Sequence, residues 1–163
     1  MPILRPARDA DLPGILAIHN DAVRNTTAIW NETPSDLAGR AAWLDERRGR
    51  GFPVLVAEED ARVLGYSSFG DFRPHEGYRI SVEHSVYVAA SARARGLGRA
   101  LVEALFAPAR AMDKKVMIGG ITADNAASIA LHERLGFTVS GRMPGIGIKF
   151  GRRLDLVLMQ KDL

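Results

Sequence analysis

One junction constrains this chain more than any other. "VYVAASARARGLGRALVEAL", Val86 to Leu105, passes from a hydrophobic β-like run through a small, arginine-rich loop directly into an apolar-periodic helix. Helix N-termini present unpaired N–H groups and a partial positive charge, and glycines at 96 and 98 let an anion approach the backbone without meeting a Cβ. Arg93, Arg95 and Arg99 add positive charge beside them. The segment is therefore competent to cradle a pyrophosphate, although glycines and arginines at a helix start also arise for packing alone. Two other phosphate loops are excluded by spacing. A dinucleotide fingerprint requires a third glycine where Leu101 stands, and no Lys-Ser or Lys-Thr pair follows, as a nucleoside triphosphate loop would require.

The surrounding chain bounds the fold. Its 163 residues fit a single domain over 1–163, and 47% hydrophobic with 25% charged residues is the balance of an ordinary globular protein. No apolar run is long enough to span a membrane, and the charged N-terminus lacks a signal-peptide core, so a cytoplasmic protein with no membrane partner is expected. There is no cysteine, which excludes disulfides, thiolate metal sites and thiol nucleophiles and agrees with a reducing compartment; no metal site is expected. The sequence pI of about 9.6 suggests nucleic acid, but the net charge is only +3. Acidic residues are interspersed with basic ones and no basic stripe alternates with aromatics, so no nucleic-acid partner is expected.

Periodicity places the elements. Residues 2–6 read as a first strand, and Asp9 and Asp11 open a helix through Leu12, Ile15, Ile18 and Ala22. A second helix is expected from Ser35 as cap to Gly49, after a polar loop "NTTAIWNETP". Then come strands "PVLVAEE", "RVLGYSSFGDF" and "YRISVEHSVYV", a helix over 96–112, a strand "KVMIGGIT", a helix over 125–135 and two closing strands. Pro108 inside the third helix is expected to kink it or fray its last turn. The whole reads as a mixed α/β layer with one central βαβ crossover.

The loop Arg93-Ala94-Arg95-Gly96-Leu97-Gly98 resembles the acetyl-CoA loop of the GCN5-related N-acetyltransferase (GNAT) family, and "NAASIALHERLGF", Asn125 to Phe137, resembles that family's fourth helix and its exit. Within the family, "TTAIWNETP", "FRPHEGYRISVEHSVYV" and "GIKFGRRLDL" are similar to the phosphinothricin and methionine sulfoximine or sulfone acetyltransferases. The resemblance implies a GNAT fold with a mixed sheet of about seven strands, about four helices and a central βαβ unit that binds acetyl-CoA. It also implies a homodimer and transfer of an acetyl group to the α-amine of a small amino acid analogue. Two alternatives remain: acetylation of protein or peptide amines, and a non-catalytic acyl-CoA sensor.

Acetyl transfer to an amine needs an unprotonated nitrogen, stabilisation of an oxyanion and a proton for the departing thiolate. The resemblance assigns the base to Glu83, whose apolar neighbours in "SVEHSV" would raise its pKa; an outward-facing salt-bridge residue is the bland alternative. Alternation puts Glu83, Ser85 and Tyr87 on one face of their strand and Val82, His84, Val86 and Val88 on the other. Backbone groups near Val86, Tyr87 and Val88 are implied to bind the acetyl and pantetheine moieties. So are Asn125 and Ser128, which otherwise read as a helix cap and a packing residue, while Arg134 would reach phosphate or face solvent. His132 stands where the wider family has a tyrosine acid; it is either an imidazolium acid, an orienting group or a structural histidine. The resemblance places Trp30, Arg73, Glu76, Gly77 and Tyr78 around the acceptor, with Arg73 or Arg79 on its carboxylate. Lys149, Phe150 and Asp155 either close that pocket or serve a dimer contact.

Overall fold

The computed structural model describes residues 1–163 and contains one seven-stranded sheet ordered β1-β2-β3-β4-β5-β7-β6. The strands are β1 (Ile3–Pro6), β2 (Val54–Glu59), β3 (Arg62–Asp71), β4 (Ser81–Val88), β5 (Val116–Thr122), β6 (Thr138–Lys149) and β7 (Arg152–Asp162). The α-helices are α1 (Leu12–Asn25), α2 (Leu37–Gly49), α3 (Leu97–Ala111) and α4 (Ala126–Arg134). Only β4 and β5 pair in parallel, because α3 carries the chain across the sheet between them; a parallel neighbour cannot be reached through a short turn. No helix is long and apolar enough to cross a membrane.

Side-chain alternation divides the core between the two faces. Val82, Phe69, Met117, Val102 and Leu105 pack with Phe137 on the side of α3 and α4. On the other side, Ile15, Ile18 and Leu44 of α1 and α2 close over Val56, Tyr66 and the partly buried Tyr87. The expected parity of β4 is therefore realised: the odd residues from Glu83 to Tyr87 face α1 and α2, and the even ones face α3 and α4.

Several boundaries differ from the sequence expectation. Asp9–Asp11 form a 3-10 turn rather than the first turn of α1, because Asp11 is drawn into a bidentate pair with Arg5 at 2.7 Å and accepts the Arg8 N–H at 2.7 Å. The cap of α2 is Asp36, not Ser35, since its carboxylate accepts the Gly39 N–H at 2.7 Å. Tyr78 to Ile80 precede β4 instead of opening it; Glu76–Tyr78 make a 3-10 turn. Helix α3 continues through Pro108 to Ala111 without fraying. A proline there removes one N–H, while the last turn stays anchored by the fully buried Ala109 and by Lys114 N–H donating to the Ala109 carbonyl.

Candidate active site

The registers create the site. Strands β4 and β5 pair only from Ser81–Glu83 against Val116–Ile118, and beyond that they separate. The other edge of β4 stays paired to β3 through Val88. Ala89 N–H donates to the Leu64 carbonyl at 2.8 Å, so by alternation the N–H groups of Val86 and Val88 point away from β3, into the gap. Two cavities meet there, sharing Val86, Tyr87, Asn125 and Ser128 in their walls.

The larger, of about 1060 Å³, is the one that the opening junction builds. Its lining includes Val86, Tyr87, Val88, Arg93, Ala94, Gly96, Leu97, Gly98, Arg99, Asn125, Ser128 and Arg134, with Phe150 at its rim. No backbone N–H from Arg93 through Arg99 donates to a protein acceptor. The loop turns through left-handed backbone at Ala94 (φ 61°) and Gly96 (φ 77°), and a Cβ on Gly96 would meet nothing within 4 Å. That combination of a curled, glycine-relieved chain, free amides and a helix N-terminus fits a diphosphate. Of the loop residues expected to line this cavity only Arg95 does not: its guanidinium turns away to Glu59, at 2.7 Å and 3.0 Å. Leu97 contributes backbone, because its side chain is buried with Ala57, Ala92 and Leu101. Gly96→Val should weaken binding of a diphosphate-bearing ligand at this loop about tenfold in calorimetry, since a β-branched residue resists positive φ by about 1–2 kcal/mol.

The smaller cavity, about 370 Å³, holds Glu83, Ser85, His84 and His132 together with Arg47, Asp71 and the pair Gly119 and Gly120. Burial raises the pKa of Glu83, partly opposed by the positive charge of Arg73. Both glycines of β5 leave room for what lies over them. A Cβ on Gly120 would stand 3.0 Å from Glu83 Oε1, and one on Gly119 would stand 3.1 Å from His132 Nε2 and 3.2 Å from His84 Nε2.

His132 sits at 2% exposure with its Nδ1 2.7 Å from the Ser128 carbonyl, which can only accept; Nδ1 is therefore the protonated nitrogen. Nε2 then receives the N–H of His84 Nε2 across 3.0 Å, and the two rings stack with centroids 5.0 Å apart. Burial lowers the pKa of both, that of His84 to about 3, so the neutral pair is favoured over the imidazolium that an acid role would use. His84 had no assigned role in the sequence; its parity was legible, its partner was not. On α4, Asn125 is a genuine cap, accepting the Ser128 N–H at 3.1 Å, and it also lines both cavities, so its two readings coexist.

The residues expected around the acceptor are distributed differently. Arg73, Glu76, Gly77 and Tyr78 lie on the exposed turn before β4 and do not line the smaller cavity. Arg73 stacks on Phe72 at 5.0 Å, Tyr78 packs on the same ring, and Arg79 folds back on the Glu76 carbonyl at 3.2 Å. Trp30 acts from behind the wall, its indole N–H donating to Thr122 Oγ1 at 2.9 Å. Lys149 neither closes the pocket nor faces a partner. It is 1% exposed, and its ammonium donates to the carbonyls of Val23 (2.6 Å), Thr26 (2.6 Å) and Ile29 (2.5 Å) at the end of α1.

Residues 15–137 match the acetyltransferase (GNAT) family. The chain belongs to that family. This GNAT chain is 60% identical to an L-methionine sulfoximine/L-methionine sulfone acetyltransferase of Pseudomonas paraeruginosa, over 98% of this chain and 94% of that one. It is 39% identical to a phosphinothricin N-acetyltransferase of Alcaligenes faecalis, over 98% of this chain and 82% of the relative. Among solved structures, a ribosomal-protein-alanine N-acetyltransferase from Brucella melitensis superposes with a TM-score of 0.97 at 56% identity, covering 99% of both chains. An acetyltransferase from Salmonella typhimurium solved with its cofactor acetyl-CoA gives 0.97 at 50% identity, covering 99% of this chain and 94% of the other. The mixed seven-stranded sheet with four helices is thus the GNAT fold.

Proposed function

We propose that this GNAT enzyme transfers an acetyl group from acetyl-CoA to the α-amine of a small amino acid analogue, namely methionine sulfone, methionine sulfoximine or phosphinothricin, directly and within a ternary complex. The observation that carries the reading is the meeting of two cavities in the β4–β5 gap, one walled by unpaired loop amides and the other by the partly desolvated carboxylate of Glu83. The relatives named for these acceptors supply the substrate class.

The loop amides from Arg93 to Arg99, with Arg99 and Arg134 beside them, hold the diphosphate; Asn125 and Ser128 stand along the pantetheine arm. Acetyl-CoA, when bound, supplies the acyl thioester. The N–H groups of Val86 and Val88 orient the acyl oxygen and take up charge developing on it. Glu83 accepts a proton from the acceptor's ammonium, directly or through water, freeing the nitrogen lone pair for attack. Ser85 and Tyr87 share its face. The tetrahedral adduct then collapses with cleavage of the C–S bond, and the second proton of the attacking nitrogen passes, directly or through water, to the departing sulfur, so that coenzyme A leaves as its thiol; His132, held by His84 and the Ser128 carbonyl, keeps its proton on Nδ1 and shapes the wall. No cysteine is available to carry an acyl group, so no covalent relay through a thiol is required.

Arg73, Glu76, Gly77, Tyr78 and the Trp30 loop form the approach to this cavity, and Arg73 brings positive charge close enough to act on Glu83. The enzyme is read as cytoplasmic and homodimeric; a second copy would cover the apolar edge of β6, where Ile146 and Ile148 are exposed. A second acceptor class, protein amines, is favoured by the 56% identity to the ribosomal-protein-alanine N-acetyltransferase from Brucella melitensis. One experiment separates the two: thiol release from acetyl-CoA, followed with a panel of free amino acid analogues and with alanine-terminated peptides. Turnover with methionine sulfone and not with peptides supports the proposal; the reverse overturns it.

A further inference from the structure

Arg47 of α2 has no place in the machinery described so far. Its guanidinium lies across the backbone of Gly70 in β3, with Cζ 2.9 Å and Nη2 3.1 Å from where a Cβ on that glycine would stand. Its Nε is buried without a hydrogen-bond partner; Glu46 at 3.6 Å is beyond hydrogen-bonding distance, and Asp71, whose charge also acts on it, is hydrogen-bonded by Arg50 instead. Desolvation lowers its pKa. A guanidinium that is partly buried and under-satisfied in a cavity wall is costly unless an anion meets it there.

The sheet register says where that anion would be. Gly70 pairs directly with Glu83, and side-chain positions of paired antiparallel residues share a face, so Arg47 and Glu83 occupy the same face of the sheet. They lean apart: Arg47 lies over β3, while the Glu83 carboxylate reaches toward Gly120 on β5. No ion pair joins them. Opposite charges facing one cavity across roughly two strand spacings, about 9–10 Å, leave room for a group that carries a basic nitrogen at one end and an anion at the other. An α-amino acid is such a group.

We infer that Arg47 is the carboxylate anchor of the acceptor site, pairing bidentately with the substrate's α-carboxylate while Glu83 takes the amine, and that Gly70 is glycine so that this guanidinium can reach the cavity. This rests on the proposed amino acid acceptor and deepens it. Fixing both ends of the amino acid orients the nitrogen toward the β4–β5 gap. It also selects amino acids over simple amines, because an amine lacking the carboxylate leaves the guanidinium unpaired.

The test compares L-methionine sulfone with its decarboxylated counterpart, 3-(methylsulfonyl)propan-1-amine, in the wild type, Arg47→Gln and Gly70→Ala. The wild type should prefer the amino acid, and Arg47→Gln should raise its KM about 10- to 100-fold without changing the KM for acetyl-CoA or for the amine. Gly70→Ala retains the arginine but displaces it, and should shift the same ratio in the same direction. Calorimetric binding of L-methionine sulfone, weakened in Arg47→Gln by the same factor, reads the contact without turnover. An Arg47→Gln variant that keeps the wild-type preference, or that loses both acceptors equally, overturns the inference. So does a wild type that fails to bind the amino acid. A wild type that binds it but acetylates no amine leaves the anchor standing and removes the transferase reading instead.

Discussion

Glu83→Gln should lower kcat/KM for methionine sulfone about 10²- to 10⁴-fold, the range a positioned general base contributes, while the dissociation constant for acetyl-CoA stays within twofold of wild type. The separation is expected because Glu83 lines only the smaller cavity, whereas the loop amides line the larger. The substitution is nearly isosteric and no ion pair is broken, so the fold should be unaffected. The pH profile carries the sign. Glu83 works deprotonated, and burial raises its pKa above the usual carboxylate range, so the wild-type rate should climb with pH along a limb displaced upward from that of an ordinary glutamate. That limb should vanish in the glutamine variant. A variant that keeps both the limb and the rate would remove the base from Glu83.

Lys149→Met should produce the largest loss of stability, about 2–4 kcal/mol, or roughly a 5–15 °C fall in Tm for a chain of this size. The ammonium satisfies three carbonyls where α1 ends and the Trp30 loop begins, in a place with 1% exposure. A helix C-terminus leaves its last carbonyls without intrahelical donors, and methionine fills the space but donates nothing. The damage should extend to the site. The same loop positions Thr27, whose carbonyl accepts the Thr122 hydroxyl at 2.6 Å, and Trp30, whose indole holds Thr122 from the other side. The KM for the acceptor should therefore rise together with the loss of Tm. Thermal unfolding that matches wild type would contradict this account of the buried lysine.

What was legible in the sequence follows from how local each feature is. The loop from Arg93 to Arg99 was readable because its chemistry is backbone chemistry over a few consecutive residues: free amides, a glycine at positive φ and a helix start form one continuous segment. Strand parity placed Glu83 and His84 on opposite faces for the same reason. Boundaries set by long-range partners were not readable. Asp11 leaves its expected helix because Arg5 and Arg8 claim it, and Arg95 leaves the loop cavity because Glu59 does. Lys149 looked like one more basic residue in "KFGRRLD"; burial against the end of α1, more than a hundred positions earlier, gives it a different task.

The GNAT fold, a loop with free amides at a helix start and the carboxylate of Glu83 on β4 could all be read along the chain. Only the tertiary structure decided the acceptor side, where Arg47, Gly70, Glu83, Gly119, Gly120 and His132 come together from α2, β3, β4, β5 and α4. Contiguous main chain suited to a phosphate leaves its motif as a string. Side chains suited to the proposed amino acid meet only where two strands part, and that meeting point is set by register and by the packing of helices on both faces.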